Sequence, residues 1–172
     1  MLQLSATLIN KPVLSLRTSA PVASVEAVLI NPNNLKIEGF YCNDRFSDQR
    51  LILLSQDIRE LNPKGYVVND HEVLSAPAEL VRLKDVIRIN YQLLNKPVYT
   101  VSKSKVGKIS DYAVEIETMF IQKLYVNQSL IKSFTGGTLS VDRSQIQEVT
   151  DRRIIISDLL KTSPVTAAAG IA

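Results

Sequence analysis

The chain has 172 residues, of which 45% are hydrophobic, 22% are charged and 6% are aromatic, and its net charge is +3. This balance excludes wholesale disorder and a histone-like polybasic protein. Cys42 is the only cysteine, which excludes an intramolecular disulfide and a cysteine-based zinc site. The N-terminus does not read as a signal peptide, and no apolar run is long enough to span a membrane. We therefore expect a cytoplasmic, bacterial-type protein.

The first 74 residues predict short strands that are separated by turns. Apolar runs of roughly four to eight residues alternate with turn-forming residues, which is typical of an all-β barrel. Residues 31–34, Asn-Pro-Asn-Asn, predict a hairpin, because Asn tolerates left-handed backbone and Pro fixes φ. Residues 62–65, Asn-Pro-Lys-Gly, predict a second turn before another short strand.

Residues 75–92 interrupt this β pattern and predict a helical connector. Ser75 is suited to cap a helix that ends near Asn90, and Pro77 is tolerated in its first turn. The apolar stripe of this helix consists of Leu80, Leu83 and Ile87. A flexible linker would be rich in Gly, Ser or Pro, so we expect the connector to pack against the β structure.

The second half of the sequence repeats the first. Residues 8–13, Leu-Ile-Asn-Lys-Pro-Val, recur as residues 93–98, Leu-Leu-Asn-Lys-Pro-Val, with five of six identical. Further matched blocks follow in the same order at spacings of 84 to 88: 22–25 with 106–109, 58–61 with 146–149, and 66–70 with 154–158. We predict a first copy over residues 1–74, a second copy over 93–161, and a frayed tail over 162–172. Each copy is close to the lower size limit for an independent core.

Residues 106–114 have the sequence Val-Gly-Lys-Ile-Ser-Asp-Tyr-Ala-Val. This segment resembles the signature of the PRC-barrel family, in which a Gly-x-apolar-x-Asp segment starts a strand. The glycine admits a tight backbone turn, and an aspartate there can accept hydrogen bonds from nearby amides. In the first copy Ala23 and Ala27 stand where Gly107 and Asp111 stand in the second. The two copies are therefore not expected to be functionally equivalent.

The resemblance implies an all-β fold of two tandem small PRC-type β-barrels joined by a short helical connector. PRC-barrels occur at the C-terminus of RimM-type ribosome maturation factors, where they contact a ribosomal protein, and in the cytoplasmic part of the photosynthetic reaction-centre H subunit. The chain resembles neither in full, and is similar to stand-alone tandem members. We expect no cofactor, no metal and no membrane insertion.

The candidate binding residues are basic. Residues 1–86 contain 9 Lys and Arg against 10 Asp and Glu, whereas residues 87–172 contain 11 against 7. The candidates are Lys103, Lys105 and Lys108, which flank a predicted loop with Lys96 just upstream, and the pair Arg152 and Arg153. Such residues contact the phosphates of nucleic acids in some proteins and are merely solvated in others. The sequence leaves both interpretations open.

Three other features favour structural roles. His71 lies beside Asp70 and Glu72, but adjacent strand residues point to opposite faces, so a solvated cluster is favoured over a general base. Cys42 is expected to be a small buried residue rather than a nucleophile. Residues 136–137, Gly-Gly, predict a hairpin turn, since no GxxxxGK[ST] pattern follows.

The expected function is that of a non-enzymatic adaptor that uses PRC-barrels to contact a protein partner in ribosome or RNA-linked assembly. A ribosomal protein is one candidate partner. The alternative is a nucleic-acid-binding module that uses the basic loops of the second copy to contact RNA, although the low aromatic content disfavours binding of single strands. The sequence does not predict the oligomeric state.

Overall fold

The computed structural model of the protein describes residues 1–128 and 137–158. Strands account for 51% and helical segments for 16% of these residues, which confirms the predicted all-β class. No helix in the described ranges is long and apolar enough to cross a membrane. Gly136 of the predicted Gly-Gly turn and the predicted tail at 162–172 lie outside the described residues.

The first copy contains two hairpins where the sequence predicts them. Its strands, with the short N-terminal strand, are β1 (Leu2–Leu4), β2 (Pro12–Ser15), β3 (Pro21–Asn31), β4 (Lys36–Asp44), β5 (Arg50–Leu54), β6 (Glu60–Asn62) and β7 (Gly65–Val68). In the β3–β4 turn the side chain of Asn31 accepts a hydrogen bond from the amide of Asn33, and Leu35 has a φ of 51°. The predicted Asn-Pro-Lys-Gly turn joins β6 to β7.

The second copy repeats the strand pairing of the first. After helix α1 (Lys84–Ile89), its strands are β8 (Pro97–Thr100), β9 (Lys105–Glu115), β10 (Phe120–Gln128), β11 (Thr138–Asp142), β12 (Ile146–Val149) and β13 (Ile154–Ile156). Val13 on β2 lies opposite Ala23 on β3, and Val98 on β8 lies opposite Gly107 on β9. The first strand of each copy also pairs in parallel with its last, β2 with β7 and β8 with β13. The repeat in sequence is therefore a repeat in structure.

The two copies meet at a seam with approximate two-fold symmetry. Strands β4 and β10 pair at one position, where Lys36 lies opposite Phe120, and these two residues are equivalent in the repeat. Two backbone hydrogen bonds flank this pair, from Ile37 to Met119 and from Ile121 to Leu35. Reciprocal contacts between equivalent residues define a two-fold relation. Because of this seam the strands form one open sheet, and the prediction of two self-contained barrels is not confirmed.

One hydrophobic cluster contains buried residues of both copies. Phe40 and Tyr66 of the first copy, and Ile109 and Leu124 of the second, are all fully buried within it. The Tyr66 hydroxyl donates to the carbonyl of Leu8 at 2.7 Å, so its burial leaves no polar atom without a partner. A shared cluster answers the size problem that each copy would have alone.

The segment that precedes the repeated blocks of each copy packs against the other copy. Strand β1, which precedes the repeated blocks of the first copy, pairs with β9 of the second. Helix α1, which precedes the second copy, packs against the first, where Val86 lies in a small buried cluster with Leu29, Tyr41 and Ile52. The two segments are exchanged between the copies, one as a strand and the other as a helix.

The connector is less helical than predicted. Pro77–Glu79 and Val81–Leu83 form 3₁₀ turns, and the α-helix covers only Lys84–Ile89. Ser75 does not cap a helix, because its backbone exchanges hydrogen bonds with Ile52 of β5. Pro77 lacks an amide hydrogen and favours extended backbone before it, which delays the helix. The predicted apolar stripe does pack on the small cluster, but the buried residue of α1 is Val86, which is not part of that stripe.

Candidate functional site

Three of the five predicted basic residues lie on one outward face of the second copy. Lys105 lies opposite Tyr99 and Lys108 lies opposite Pro97, and residues directly opposite in a ladder share a face of the sheet. The residues that alternate with Pro97 and Tyr99 in β8 are buried, so this face points outward. The Arg153 guanidinium lies 5.9 Å from the centre of the Tyr99 ring. We use the name basic face for the surface formed by Pro97, Tyr99, Lys105, Lys108 and Arg153.

The other two predicted residues lie in turns beside the basic face. Lys103 is exposed in the β8–β9 turn with a φ of 66°, and its amide donates to the carbonyl of Thr100 at 2.9 Å. Arg152 is exposed in the β12–β13 turn, where its amide donates to the Thr150 hydroxyl at 3.3 Å. Both turns adjoin strands of the basic face, but neither side chain makes a contact that joins it to that face.

The cations of the basic face are not neutralised within the described part of the chain. In residues 1–128 and 137–158, no carboxylate lies within 4.0 Å of Lys105, Lys108 or Arg153. The remaining residues contain no Asp or Glu in their sequence. In the first copy Arg17 and Arg50 are paired with carboxylates, whereas Lys11 and Lys64 have no such partner among the described residues. Cations without such partners keep their attraction for an external anion.

A groove of about 480 Å³ lies beside Gly107 and is lined by Lys105 and Lys108. A Cβ at Gly107 would lie 1.8 Å from the carbonyl oxygen of Asn127. The glycine is therefore required by the close approach of β9 to β10, and not by a tight turn as the sequence predicts. The bare backbone of Gly107 forms part of the groove wall.

Asp111, the acid of the PRC-barrel-like segment, has a structural role. Its carboxylate accepts hydrogen bonds from the Ser5 amide at 3.1 Å, from the Ser5 hydroxyl, and from the amide of Tyr112 at 2.8 Å. The predicted bonding to amides is therefore confirmed. Asp111 fixes the N-terminal segment on the second copy. The first copy has Ala27 at this position, which cannot accept such hydrogen bonds. The segment that covers the first copy is helix α1, which packs through apolar side chains.

His71 pairs with Asp44, which lies 27 residues away and not beside it in sequence. The Nε2 atom of His71 is 2.7 Å from one oxygen of Asp44, and the Ser47 hydroxyl donates to the other oxygen at 2.6 Å. A nucleophile–base pair needs the serine on the imidazole, whereas here both groups bind the same carboxylate. Burial alone would raise the pKa of Asp44, but the hydrogen bonds from Ser47 and His71 outweigh it and lower that pKa. This array holds the loop after β4 in place.

Cys42 is fully buried, as predicted, and burial raises the pKa of its thiol to about 12. A thiol with so high a pKa is not a thiolate nucleophile near neutral pH. Among the described residues, no three His, Cys, Asp or Glu side chains are grouped as metal ligands. Cys42 is thus engaged in packing, and His71 and Asp111 are engaged in internal polar contacts.

A comparison with models of known protein families finds no match, and a comparison with the curated proteins finds none either. The resemblance to PRC-barrels therefore depends on residues 106–114 and on the order of the repeated blocks. The basic face remains the strongest geometric indication of function.

Proposed function

We propose that the protein is a non-enzymatic adaptor that binds an acidic segment of a partner protein on the basic face. The observation that carries this proposal is the grouping of Lys105, Lys108 and Arg153 around Tyr99 without a neutralising carboxylate among the described residues. Tyr and Arg are enriched in the contact surfaces of protein complexes. Unpaired cations attract an acidic partner and orient it during encounter.

The same proposal includes the architecture that the PRC-barrel resemblance implies. Each copy is a PRC-barrel-like unit, and the two units are joined at the Lys36–Phe120 seam. The parallel pairing of β2 with β7 in the first copy recurs as that of β8 with β13 in the second, which supports this arrangement. The cytoplasmic, bacterial setting and a role in ribosome or RNA-linked assembly belong to the proposal on the same ground of resemblance.

Nucleic acid is the second candidate ligand, because Lys105 and Lys108 would also attract phosphates. Proteins that hold single strands use successive aromatic side chains on which bases stack. The basic face offers one aromatic ring, that of Tyr99, and the Arg153 guanidinium lies 5.9 Å from its centre. An acidic protein segment therefore fits the face better.

The test compares the full chain with a triple variant, Lys105→Ala, Lys108→Ala and Arg153→Ala. The matched control removes three cations from outside the second copy: Lys11→Ala, Lys64→Ala and Arg82→Ala. Each protein is immobilised and exposed to cell lysate at about 0.1 M and 0.5 M salt, with and without nuclease. We expect the parent and the control to retain the same protein at low salt, and the triple variant to lose it. Equal retention of the protein by the triple variant and the control would refute the proposal. Capture that is abolished by nuclease would favour nucleic acid as the ligand.

A further inference from the structure

The groove beside Gly107 occurs at a position that the first copy repeats with a different lining. The registers equate the two positions, since Lys108 lies opposite Asn127 just as Ser24 lies opposite Asn43. The lining differs at four positions. In chain order, the first copy has Pro21, Ala23, Ser24 and Glu26 where the second copy has Lys105, Gly107, Lys108 and Ser110. The same strand pairing thus carries two different sets of side chains, with a φ of 159° at Gly107 in the second copy alone.

These differences change the charge of the groove and leave its backbone pairing unchanged. The first copy has a carboxylate there, Glu26, which is bound by Arg50 at 2.9 Å. The second copy has Ser110 in its place and adds the ammonium groups of Lys105 and Lys108. Because the first copy folds with the same pairing and without these lysines, the fold does not need them. Their presence indicates a ligand of negative charge.

The groove also offers neutral donors beside the two cations. The side-chain oxygen of Asn127 accepts a hydrogen bond from the Thr138 hydroxyl at 3.4 Å, which leaves its two amide hydrogens for another acceptor. The side chain of Asn95, which also lines the groove, makes no hydrogen bond to any residue in 1–128 or 137–158.

We propose that this groove is a carboxylate-binding subsite for an Asp or Glu side chain in an extended segment of the partner protein. This inference depends on the proposed function and names the chemistry that the basic face recognises. Lys105 and Lys108 supply the charge, and the amides of Asn95 and Asn127 bind the carboxylate oxygens. The residues that line the groove include no aromatic side chain on which a nucleic-acid base would stack.

The test is a nuclear magnetic resonance titration of the isotope-labelled full chain at constant ionic strength. One arm adds a short glutamate oligomer, and the other adds a uridine oligonucleotide of the same charge. We expect the glutamate oligomer to cause saturable shifts of the amide resonances of Gly107, Lys108 and Asn127. The resonances of Ala23 and Ser24, at the equivalent groove, should not move. Tighter binding of the oligonucleotide at the same resonances would overturn the assignment to carboxylate.

Two exposed positions provide matched variants. Ser110→Glu gives the second copy the acid of the first, and Lys108→Gln removes one cation without changing its length greatly. Each is expected to weaken binding of the glutamate oligomer roughly fivefold, the scale of one surface charge interaction. Glu26→Ser, the converse change in the first copy, is expected to leave binding unchanged. The proposal fails if Ser110→Glu, with an unfolding midpoint like that of the parent, binds like the parent.

The outcomes separate this inference from the proposed function. If the glutamate oligomer causes no saturable shift at Gly107 while the triple variant still loses its captured protein, the subsite is wrong and the adaptor stands. If the oligomer binds at Gly107 while the triple variant retains the captured protein, the subsite stands and the adaptor is wrong.

Discussion

At Gly107 the chain has no room for a side chain, because a Cβ would meet both the carbonyl oxygen and, at 2.8 Å, the carbonyl carbon of Asn127. Backbone atoms in a paired strand cannot rotate away. We expect Gly107→Ala to lower the free energy of unfolding by about 2–4 kcal/mol, from overpacking and backbone strain. Gly137→Ala is the control, since the nearest atom to its Cβ in the described part of the chain is the end of the Gln128 side chain at 4.0 Å. Urea unfolding measures both, and equal losses would contradict the argument.

The partly buried pair of Asp44 and His71 predicts a loss of stability in acid. The pKa of Asp44 is lower in the folded chain than its ordinary value of about 3.9. Its contribution to stability is therefore complete above about pH 4 and is lost as the pH falls through the folded pKa. We expect Asp44→Asn to show a smaller drop in urea midpoint between pH 7 and pH 3 than the parent shows. The exposed neighbour change Asp48→Asn should keep the full drop, and an unchanged drop in Asp44→Asn would refute the assignment.

At the residue scale, the sequence predicted roles that depend on near neighbours. The buried Cys42 and the amide-bonding Asp111 were predictable from their own chemistry and immediate context. The partner of His71 was not, because the sequence offers Asp70 and Glu72 beside it, while the fold brings Asp44 from the end of β4. The role of Gly107 likewise depends on the distance to β10, which no local pattern reveals.

At the scale of elements, helix α1 gives a direct test of how the connector packs. Val86 is 8% exposed and packs against β3, β4 and β5, whereas Ile89 on the same helix is 46% exposed. A buried carboxylate without a partner is costly, so Val86→Asp should lower the free energy of unfolding by about 2–4 kcal/mol. Ile89→Asp should change it little, and the half-buried Leu83→Asp should fall between them. Thermal melts decide this, and a parent-like melt of Val86→Asp would show that α1 is not packed.

The elements that the sequence predicted correctly have local causes. Asn, Pro and Gly marked the β3–β4 and β6–β7 turns, as such residues do in general. In the β3–β4 turn, however, the residue with left-handed backbone is Leu35 and not an Asn. The connector helix was predicted too long, because the backbone pairing of Ser75 with Ile52 is set by β5. Strand β1 was not predicted either, since only its pairing with β9 makes those three residues a strand.

At the scale of the whole molecule, the duplication was visible in the sequence and the seam was not. Backbone hydrogen bonds across β4 and β10 have no side-chain signature, and they join residues that are far apart in sequence, Ile37 with Met119 and Ile121 with Leu35. Side chains also cross the seam: Arg143 of the second copy donates to the carbonyl of Asn34 in the first, and the Lys36 ammonium lies 5.8 Å from the centre of the Phe120 ring. The candidate basic residues were predictable as a group. Their positions were not predictable. Only the register of β8 with β9 shows that Lys105 and Lys108 share a face with Tyr99. Lys103 and Arg152 lie in turns beside that face.

The seam and the shared hydrophobic cluster predict that both copies unfold as one cooperative unit. Ile37 and Ile121 are equivalent in the repeat, fully buried, and engaged in the reciprocal hydrogen bonds across the seam. We expect Ile37→Ala and Ile121→Ala each to lower the free energy of unfolding by about 2–5 kcal/mol through the cavity that they leave. Each variant should still show one transition in urea, followed both by circular dichroism and by hydrogen exchange of amides in β7 and β13.

The exposed Leu16→Ala is the control for these two variants, because its side chain is 59% exposed and outside the shared cluster. Independent copies would give a different result. In Ile37→Ala the amides of β7 would then lose protection while those of β13 kept the protection of the parent, and urea unfolding would occur in two steps. If the amides of β7 and β13 lose protection equally, the free energy of unfolding of each copy includes the contacts that it makes with the other copy. The exchanged segments β1 and α1 add to this coupling, since unfolding either copy also frees a segment that covers its neighbour.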